Sequence, residues 1–271
     1  MDLGLGGAAV VVGGGTKGMG RAAADCFAAE GARVCVLGRG QEAIDATVDG
    51  LLAAGAPDAF GVSCDFTMPA SVVAAFEVVG SRWDGGLNVL VNAAGPVDVG
   101  VGGIDALDDD EWMATFDIGA MSAVRCIRAA LPLLRRAEWA RIVNVSAHST
   151  KRQSPGLIAY TAAKSAMTSL SKNLSLGLAD DGILVNTVSP GSFLSPGLKG
   201  YLESLPAERG VDPDSLEDAM RVIKEDFGHP AHLPRAGDPN EIGPVICFVA
   251  SRVNSYMTGA NINVDGGSDF T

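Results

Sequence analysis

The chain has 271 residues, of which 47% are apolar, 19% charged and 6% aromatic, with 35 glycines and a formal net charge of −12. This composition excludes a disordered segment or a long charged coil, and the length suits one large domain or two small ones. The acidic balance argues against nucleic acid or an anionic membrane as the main partner, because both select basic surfaces.

Short apolar runs alternate with helical patterns. Residues 8–12 read as a strand, followed by a glycine-rich stretch and a helix over 19–29 that Gly31 is placed to terminate. Residues 33–37 form a second strand, 41–54 a helix, 60–63 a third strand, and 69–83 a helix with Pro69 at its start. The run 87–91 is a fourth strand. A long helical region, 108–134, opens with Asp108, Asp109, Asp110 and Glu111, which suit the positive end of a helix dipole. Strands over 141–145 and 183–188 flank a helix over 159–178, and a helix over 241–250 precedes a last strand at 261–264. Strands that are apolar throughout are buried on both faces. Their alternation with helices predicts one α/β domain, a Rossmann-type doubly wound parallel sheet of about seven strands with helices on both faces. The segment 197–235 breaks the alternation. It is polar, proline-rich and holds only a weak helix over 215–227, and a segment of that kind reads as a lid over a substrate.

The five cysteines, Cys26, Cys35, Cys64, Cys126 and Cys247, are odd in number, contain no C-x-x-C and mostly sit in apolar runs. They read as free thiols in a reducing compartment. His148, His229 and His232 do not form a metal-ligand pattern, so no metal is expected. The N-terminus lacks the basic and apolar regions of a signal peptide, and no run of about 18 apolar residues could span a bilayer. A soluble, cytoplasmic protein is expected.

Three groups carry chemistry. The first is Gly13-Gly14-Gly15-Thr16-Lys17-Gly18-Met19-Gly20, between a strand and a helix. It fits G-x-G-x-x-G through Gly13, Gly15 and Gly18, or G-x-x-x-G-x-G through Gly14, Gly18 and Gly20. In either register backbone N–H groups and a helix N-terminus can approach a pyrophosphate. The second is Gly38-Arg39 at the end of the second strand, where NAD-binding folds carry an acid for the ribose hydroxyls. Here Arg39, with Lys17, suits a 2′-phosphate, which favours NADP(H). The third is Tyr160-x-x-x-Lys164, whose spacing puts both side chains on one helix face. A nearby ammonium is expected to lower the phenol pKa and equip it to exchange a proton with a carbonyl or alcohol.

Together these motifs resemble the short-chain dehydrogenase/reductase family, especially its 3-oxoacyl-carrier-protein reductase-like members, over nearly the whole chain. Gly14-x-x-x-Gly18-x-Gly20 matches the family's cofactor loop and selects the second register, with Thr16, Lys17 and Met19 inside it. Asp65, followed by Phe66, matches the acid that faces adenine. Asn92-Ala93-Ala94-Gly95 matches the N-A-G stretch after the fourth strand, and Tyr160 and Lys164 match the catalytic pair. Asn186 to Pro190-Gly191, continuing through Phe193 to Ser195, resembles the stretch beside the nicotinamide. The C-terminal Tyr256-x-Thr258-Gly259 and Val264-Asp265-Gly266-Gly267 also fit. The resemblance implies an NADPH-dependent reductase of a ketone, or the reverse alcohol dehydrogenase, with Tyr160 as acid/base and Lys164 also binding the nicotinamide ribose. It implies a small-molecule carbonyl or alcohol substrate and a homotetramer or homodimer through the helices at 108–134 and 159–178.

Three positions depart from the family pattern. Gly13 replaces a threonine, Gly119 stands where an asparagine supports a proton-relay water, and Ala147 occupies the catalytic serine position. Neighbouring side chains on an extended strand face opposite sides. Ser149 is therefore expected to replace the missing hydroxyl, with Ser146 second and a water third. The alternatives are a non-catalytic NADP(H)-binding regulator or scaffold, and an enoyl-type reductase. The latter spaces its tyrosine seven residues before the lysine, where this chain has Leu157.

Overall fold

The computed structural model describes residues 2–96 and 101–268. The apolar runs form seven parallel strands in the order β3-β2-β1-β4-β5-β6-β7. These are β1 (Ala9–Gly13), β2 (Arg33–Gly38), β3 (Ala59–Ser63), β4 (Val89–Asn92), β5 (Ala140–Val145), β6 (Ile183–Pro190) and β7 (Asn261–Val264).

The period of two along each strand divides the core. Val10, Val12, Val34, Val36, Val89 and Val91 face α1 (Gly18–Ala29), α2 (Gln41–Ala53) and the late helix Pro239–Val249. Val11, Cys35, Leu37, Leu90 and Ile142 face α3 (Pro69–Arg82) and the helices between β4 and β6. Both faces are thus covered, which explains the unbroken apolar runs Ala9–Val12, Val34–Leu37 and Val89–Val91 at the centre of the sheet. Each fully buried Val or Leu is worth about 1.5–3 kcal/mol relative to exposure. β1 pairs with both β2 and β4, so the chain winds outward in both directions from that junction. Ligands bind at such a switch point, at the carboxyl ends of the strands.

Two elements differ from expectation. The region 108–134 is helical throughout but is not one regular α-helix. It comprises α4 (Asp109–Phe116), a wide π turn over Asp117–Met121, and α5 (Ser122–Leu134). Asp108 and Glu111 form a reciprocal capping box at its start. Gly119 sits in the π turn against α6 (Ile158–Gly177), and a Cβ there would lie 2.8 Å from Ala163 Cβ. Close packing of α6 accounts for the glycine.

The segment 197–235 has more order than its sequence suggested. It holds α7 (Pro196–Glu203) and α8 (Leu216–Val222), the latter continued by a π turn over Ile223–Phe227. Ser195 and Ser215 cap the two helices by accepting from the N–H groups of Leu198 and Asp218. Leu202, Ala219, Met220, Val222 and Ala236 form a small core of their own. Each helix is too short to show a long apolar stripe, which is why periodicity missed α7. The last helix is α9 (Pro239–Val249). Among the described residues no helix is long and apolar enough to cross a membrane.

Candidate active site

The glycine-rich loop leaves β1 where Gly13 is in register with Asn92 of β4. Gly14 has φ +77°, and a Cβ on it would stand 2.7 Å from the Ala94 nitrogen. A Cβ on Gly20 would stand 2.2 Å from the Gly14 oxygen. Gly18 opens α1 at φ +55°. These contacts support the register Gly14-x-x-x-Gly18-x-Gly20. The loop is a backbone cradle at a helix N-terminus, the arrangement a pyrophosphate requires. Met19 packs its side chain against the adjoining core.

Around this cradle stand the groups read as cofactor contacts. Thr16 lies over Gly38, so a Cβ at 38 would be 3.0 Å from Thr16 Cγ2. An acid at that position would have to displace the threonine. Lys17 and Arg39 are both exposed. Asp65 accepts from the Thr67 N–H at 2.9 Å and from its hydroxyl at 2.7 Å, which holds its carboxyl below the usual range. Buried Phe66 turns its ring toward Gly13. Asn92 donates to Asn144 Oδ1 at 2.8 Å, and Asn144 donates to Ser171 Oγ at 2.8 Å, tying β4 and β5 to α6. The Ala93 N–H donates to Gly13 at 2.9 Å. A Cβ on Gly95 would stand 3.2 Å from Lys164 Nζ.

Tyr160 and Lys164 lie one turn apart at the start of α6. Lys164 is buried, and its Nζ donates to the Val145 carbonyl at the end of β5 at 2.9 Å. Burial pulls its pKa down to about 8. Burial also pushes the Tyr160 phenol up to about 12. This reverses the expected lowering: desolvation sets the direction of the phenol's shift, and the ammonium directs its proton at Val145.

The two serines expected around the missing one are separated by the turn that follows β5. Ser146 Oγ donates to the Lys164 carbonyl at 3.1 Å and contacts Thr168 Oγ1 at 2.8 Å, so its hydroxyl is engaged with α6. Ala147 is extended, but His148–Thr150 then winds into a 3₁₀ turn. The two-residue alternation used to place Ser149 beside Ala147 therefore does not continue past that residue. Ser149 is nonetheless buried, and its Oγ has no hydrogen-bond partner.

His148 was missed by the sequence reading; its adjacency to Ala147 was the available signal. Its Nδ1 lies 3.2 Å from the Pro190 carbonyl, which can only accept, so Nδ1 carries the proton. Its Nε2 is buried without a partner, and burial lowers its pKa. The ring meets that of His229 edge to face at 5.9 Å. Arg152 Nη1 donates to the Pro230 and Ser268 carbonyls at 3.2 and 2.8 Å. The turn after β5 is thus tied to the end of the α7–α8 segment.

Gly191 passes close to β7, since a Cβ on it would stand 2.6 Å from Asp265 Cα. Phe193 packs on Gly237. Among the described residues no group of three or more His, Cys, Asp or Glu converges as a metal site.

A doubly wound sheet with this glycine loop and a Tyr-x-x-x-Lys pair on α6 defines an oxidoreductase of the Rossmann class. The chain belongs to the short-chain dehydrogenase/reductase family: the family profile described as "Enoyl-(Acyl carrier protein) reductase" matches residues 14–269. "Uncharacterized oxidoreductase YvrD" from Bacillus subtilis (strain 168) is 32% identical, covering 98% of each chain. L-sorbose reductase from Gluconobacter frateurii, solved with NADPH and L-sorbose, superposes with TM-score 0.91 at 27% identity and covers 100% of both chains. An actinorhodin polyketide ketoreductase solved with NADPH gives TM-score 0.85 at 26% identity over 97% of both chains.

Proposed function

We propose that the protein is an NADPH-dependent reductase of a small-molecule ketone, also able to run as the alcohol dehydrogenase. The carrying observation is buried Lys164, fixed by Val145 directly beneath Gly95, one helical turn from Tyr160 and beside the glycine cradle. When bound, the nicotinamide supplies the hydride. Gly14, Thr16, Lys17, Gly18, Met19 and Gly20 would hold the pyrophosphate side, and Asp65, Phe66, Asn92, Ala93 and Gly95 the adenosine side and the cleft floor. Pro190, Gly191, Phe193 and Ser195 would line the nicotinamide end. Tyr160 delivers the proton to the carbonyl oxygen, and Lys164 orients the ribose and keeps positive charge beside the phenol. The Tyr-x-x-x-Lys spacing favours a ketone over an enoyl substrate, since Leu157 occupies the position seven residues before Lys164. Residues 197–235 act as the lid, which predicts protection from limited proteolysis when NADPH and substrate are both present. The test of the whole reading is NADPH oxidation with a panel of ketones, hydroxyketones and sugars. An absence of turnover across the panel, with NADPH bound, would reject it.

Selectivity for NADPH follows from Lys17, Arg39 and the threonine packed over Gly38. A hydrogen bond to a charged group is worth about 1.5–3 kcal/mol, so Arg39→Asp is expected to weaken NADPH binding about tenfold to a hundredfold and to improve NADH. Fluorescence titration with both cofactors measures this. Tighter binding of NADH by the unaltered protein would contradict it.

Ser149 is the residue we assign to the substrate oxygen. A carbonyl oxygen needs a donor, which Ser149 Oγ supplies, whereas neutral His148 offers only the Nε2 lone pair. Loss of one oriented donor costs about 10²–10³ in rate. Ser149→Ala is expected to fall in that range. Ser146→Ala should lose little kcat and some thermal stability, because its hydroxyl bonds α6. The reverse ranking of kcat would place the hydroxyl on Ser146, and two active variants would leave the site without a serine. The assembly we propose is a homotetramer or homodimer through α4–α5 and α6; light scattering that shows a monomer at micromolar concentration would refute it.

A further inference from the structure

Two thiols far apart in sequence meet where α1 packs on α9. The approach is unusually close, since a Cβ on Gly243 would stand 2.6 Å from the Ala22 carbonyl oxygen. Cys26 lies one turn beyond Ala22 on α1, and Cys247 lies one turn beyond Gly243 on α9. Equal four-residue steps from one contact carry both thiols to the same level of the parallel pair, on the facing sides. The two side chains neighbour each other there, and each perturbs the other's pKa. Cys247 is fully buried, whereas Cys26 is partly open to solvent.

We infer that Cys26 and Cys247 form a redox-active dithiol, with Cys26 attacking and Cys247 resolving, which peroxides close to a disulfide joining α1 to α9. The polarity follows first from exposure: peroxide can reach Cys26, whereas Cys247 is fully buried. The contact with Cys247 lowers the Cys26 pKa against the opposing effects of its burial and of Glu30. The same contact, with burial, raises Cys247. The remaining thiols are raised by burial: Cys35, Cys126 and Cys64, the last to about 11. Only a thiolate attacks, so oxidation is directed to Cys26.

The chemistry balances. The Cys26 thiolate attacks one oxygen of hydrogen peroxide, the O–O bond breaks, and the departing hydroxide takes up the proton that Cys26 lost on ionising, so that a sulfenic acid and one water result. Cys247 then passes its proton to the sulfenic hydroxyl, the thiolate so formed attacks the Cys26 sulfur, the S–O bond breaks, and the hydroxyl leaves as a second water. Two thiols are oxidised to one disulfide while the peroxide is reduced to two waters.

The bond would sit below the cofactor cradle. α1 carries the cradle at its N-terminus, and α9 begins at Pro239 just after the lid segment. A cavity of about 290 Å³ between them is lined by Gly18, Arg21, Ser195, Lys199, Pro239 and Asn240. Tethering the two helices fixes this junction and slows turnover, and thiol reductant restores it.

The test treats the full chain with hydrogen peroxide and maps peptides by mass spectrometry, with Cys26→Ser and Cys247→Ala as separate variants. A peptide pair linking Cys26 to Cys247, a higher thermal midpoint, and turnover lost on oxidation and regained with dithiothreitol are the expected results. Neither variant should lose turnover reversibly. Alkylation of Cys26 by iodoacetamide near neutral pH should be slowed at least about fivefold in Cys247→Ala, because its thiol loses the neighbour that lowers its pKa. Over-oxidation of Cys26 with Cys247 still a thiol, or a linkage between two chains, overturns the inference. So does unchanged turnover of the linked protein, or equal alkylation rates. Because linkage and alkylation are read without substrate, a failed ketone reading leaves this test standing.

Discussion

Tyr160→Phe is expected to lower kcat about a thousandfold while leaving the fold and cofactor binding in place. The phenylalanine keeps the ring that fills the start of α6 and removes only the exchangeable proton. Burial holds the phenol up to about 12, so it remains protonated at neutral pH, the form required to donate to a carbonyl oxygen. The folded pKa lies above the ordinary value of 10, and the stability consequence has a definite sign. Below pH 10 the group is neutral in both states and contributes nothing. Between about 10 and 12 the unfolded chain ionises first and stability falls. Tyr160→Phe should therefore match the parent in thermal midpoint at pH 7 and surpass it above pH 10. Steady-state rates with any substrate from the ketone panel, together with an NADPH titration and melts at both pH values, measure all three effects. Retention of more than about a tenth of the parental kcat would remove Tyr160 from the proton-transfer role.

The sheet and the cradle were legible because their causes are local. A strand covered on both faces favours a continuous apolar run, as in β1 and Val89–Val91 of β4, and a loop pressed against its own helix must lack side chains, as Gly14 and Gly20 do. Tyr160 and Lys164 were legible because four residues make one helical turn. What remained hidden depends on neighbours distant in sequence. Gly119 is explained by Ala163, a residue of another helix. Ser149 was placed by continuing the extended chain past β5, which instead winds into a 3₁₀ turn after Ala147. The direction of the Tyr160 shift depends on burial, which no motif records. The order of 197–235 rests on two helices too short to display their period and a core that only their mutual packing creates.

Lys164→Met is expected to abolish turnover and, at neutral pH, to relieve the protein of a buried charge. In the proposed reaction the ammonium, close to Gly95, orients the ribose and keeps positive charge beside the phenol. For the isolated fold it is a cost. Burial lowers its pKa from an ordinary 10.5 to about 8, so the unfolded chain binds the proton more tightly. By linkage the destabilisation is fully present below pH 8, where it amounts to about 3 kcal/mol, and fades as pH rises to 10.5. Methionine fills similar space without charge but leaves the Val145 carbonyl short of its donor, a loss of about 1–3 kcal/mol. The two terms nearly offset at pH 7, and only the second survives in strong alkali. Denaturant unfolding of both proteins between pH 7 and 10.5 should therefore show the variant losing ground to the parent by about 3 kcal/mol across that interval. A difference that does not change with pH would mean that Lys164 is solvated in the folded protein. Its removal would then report on cofactor orientation alone, through a raised KM for NADPH.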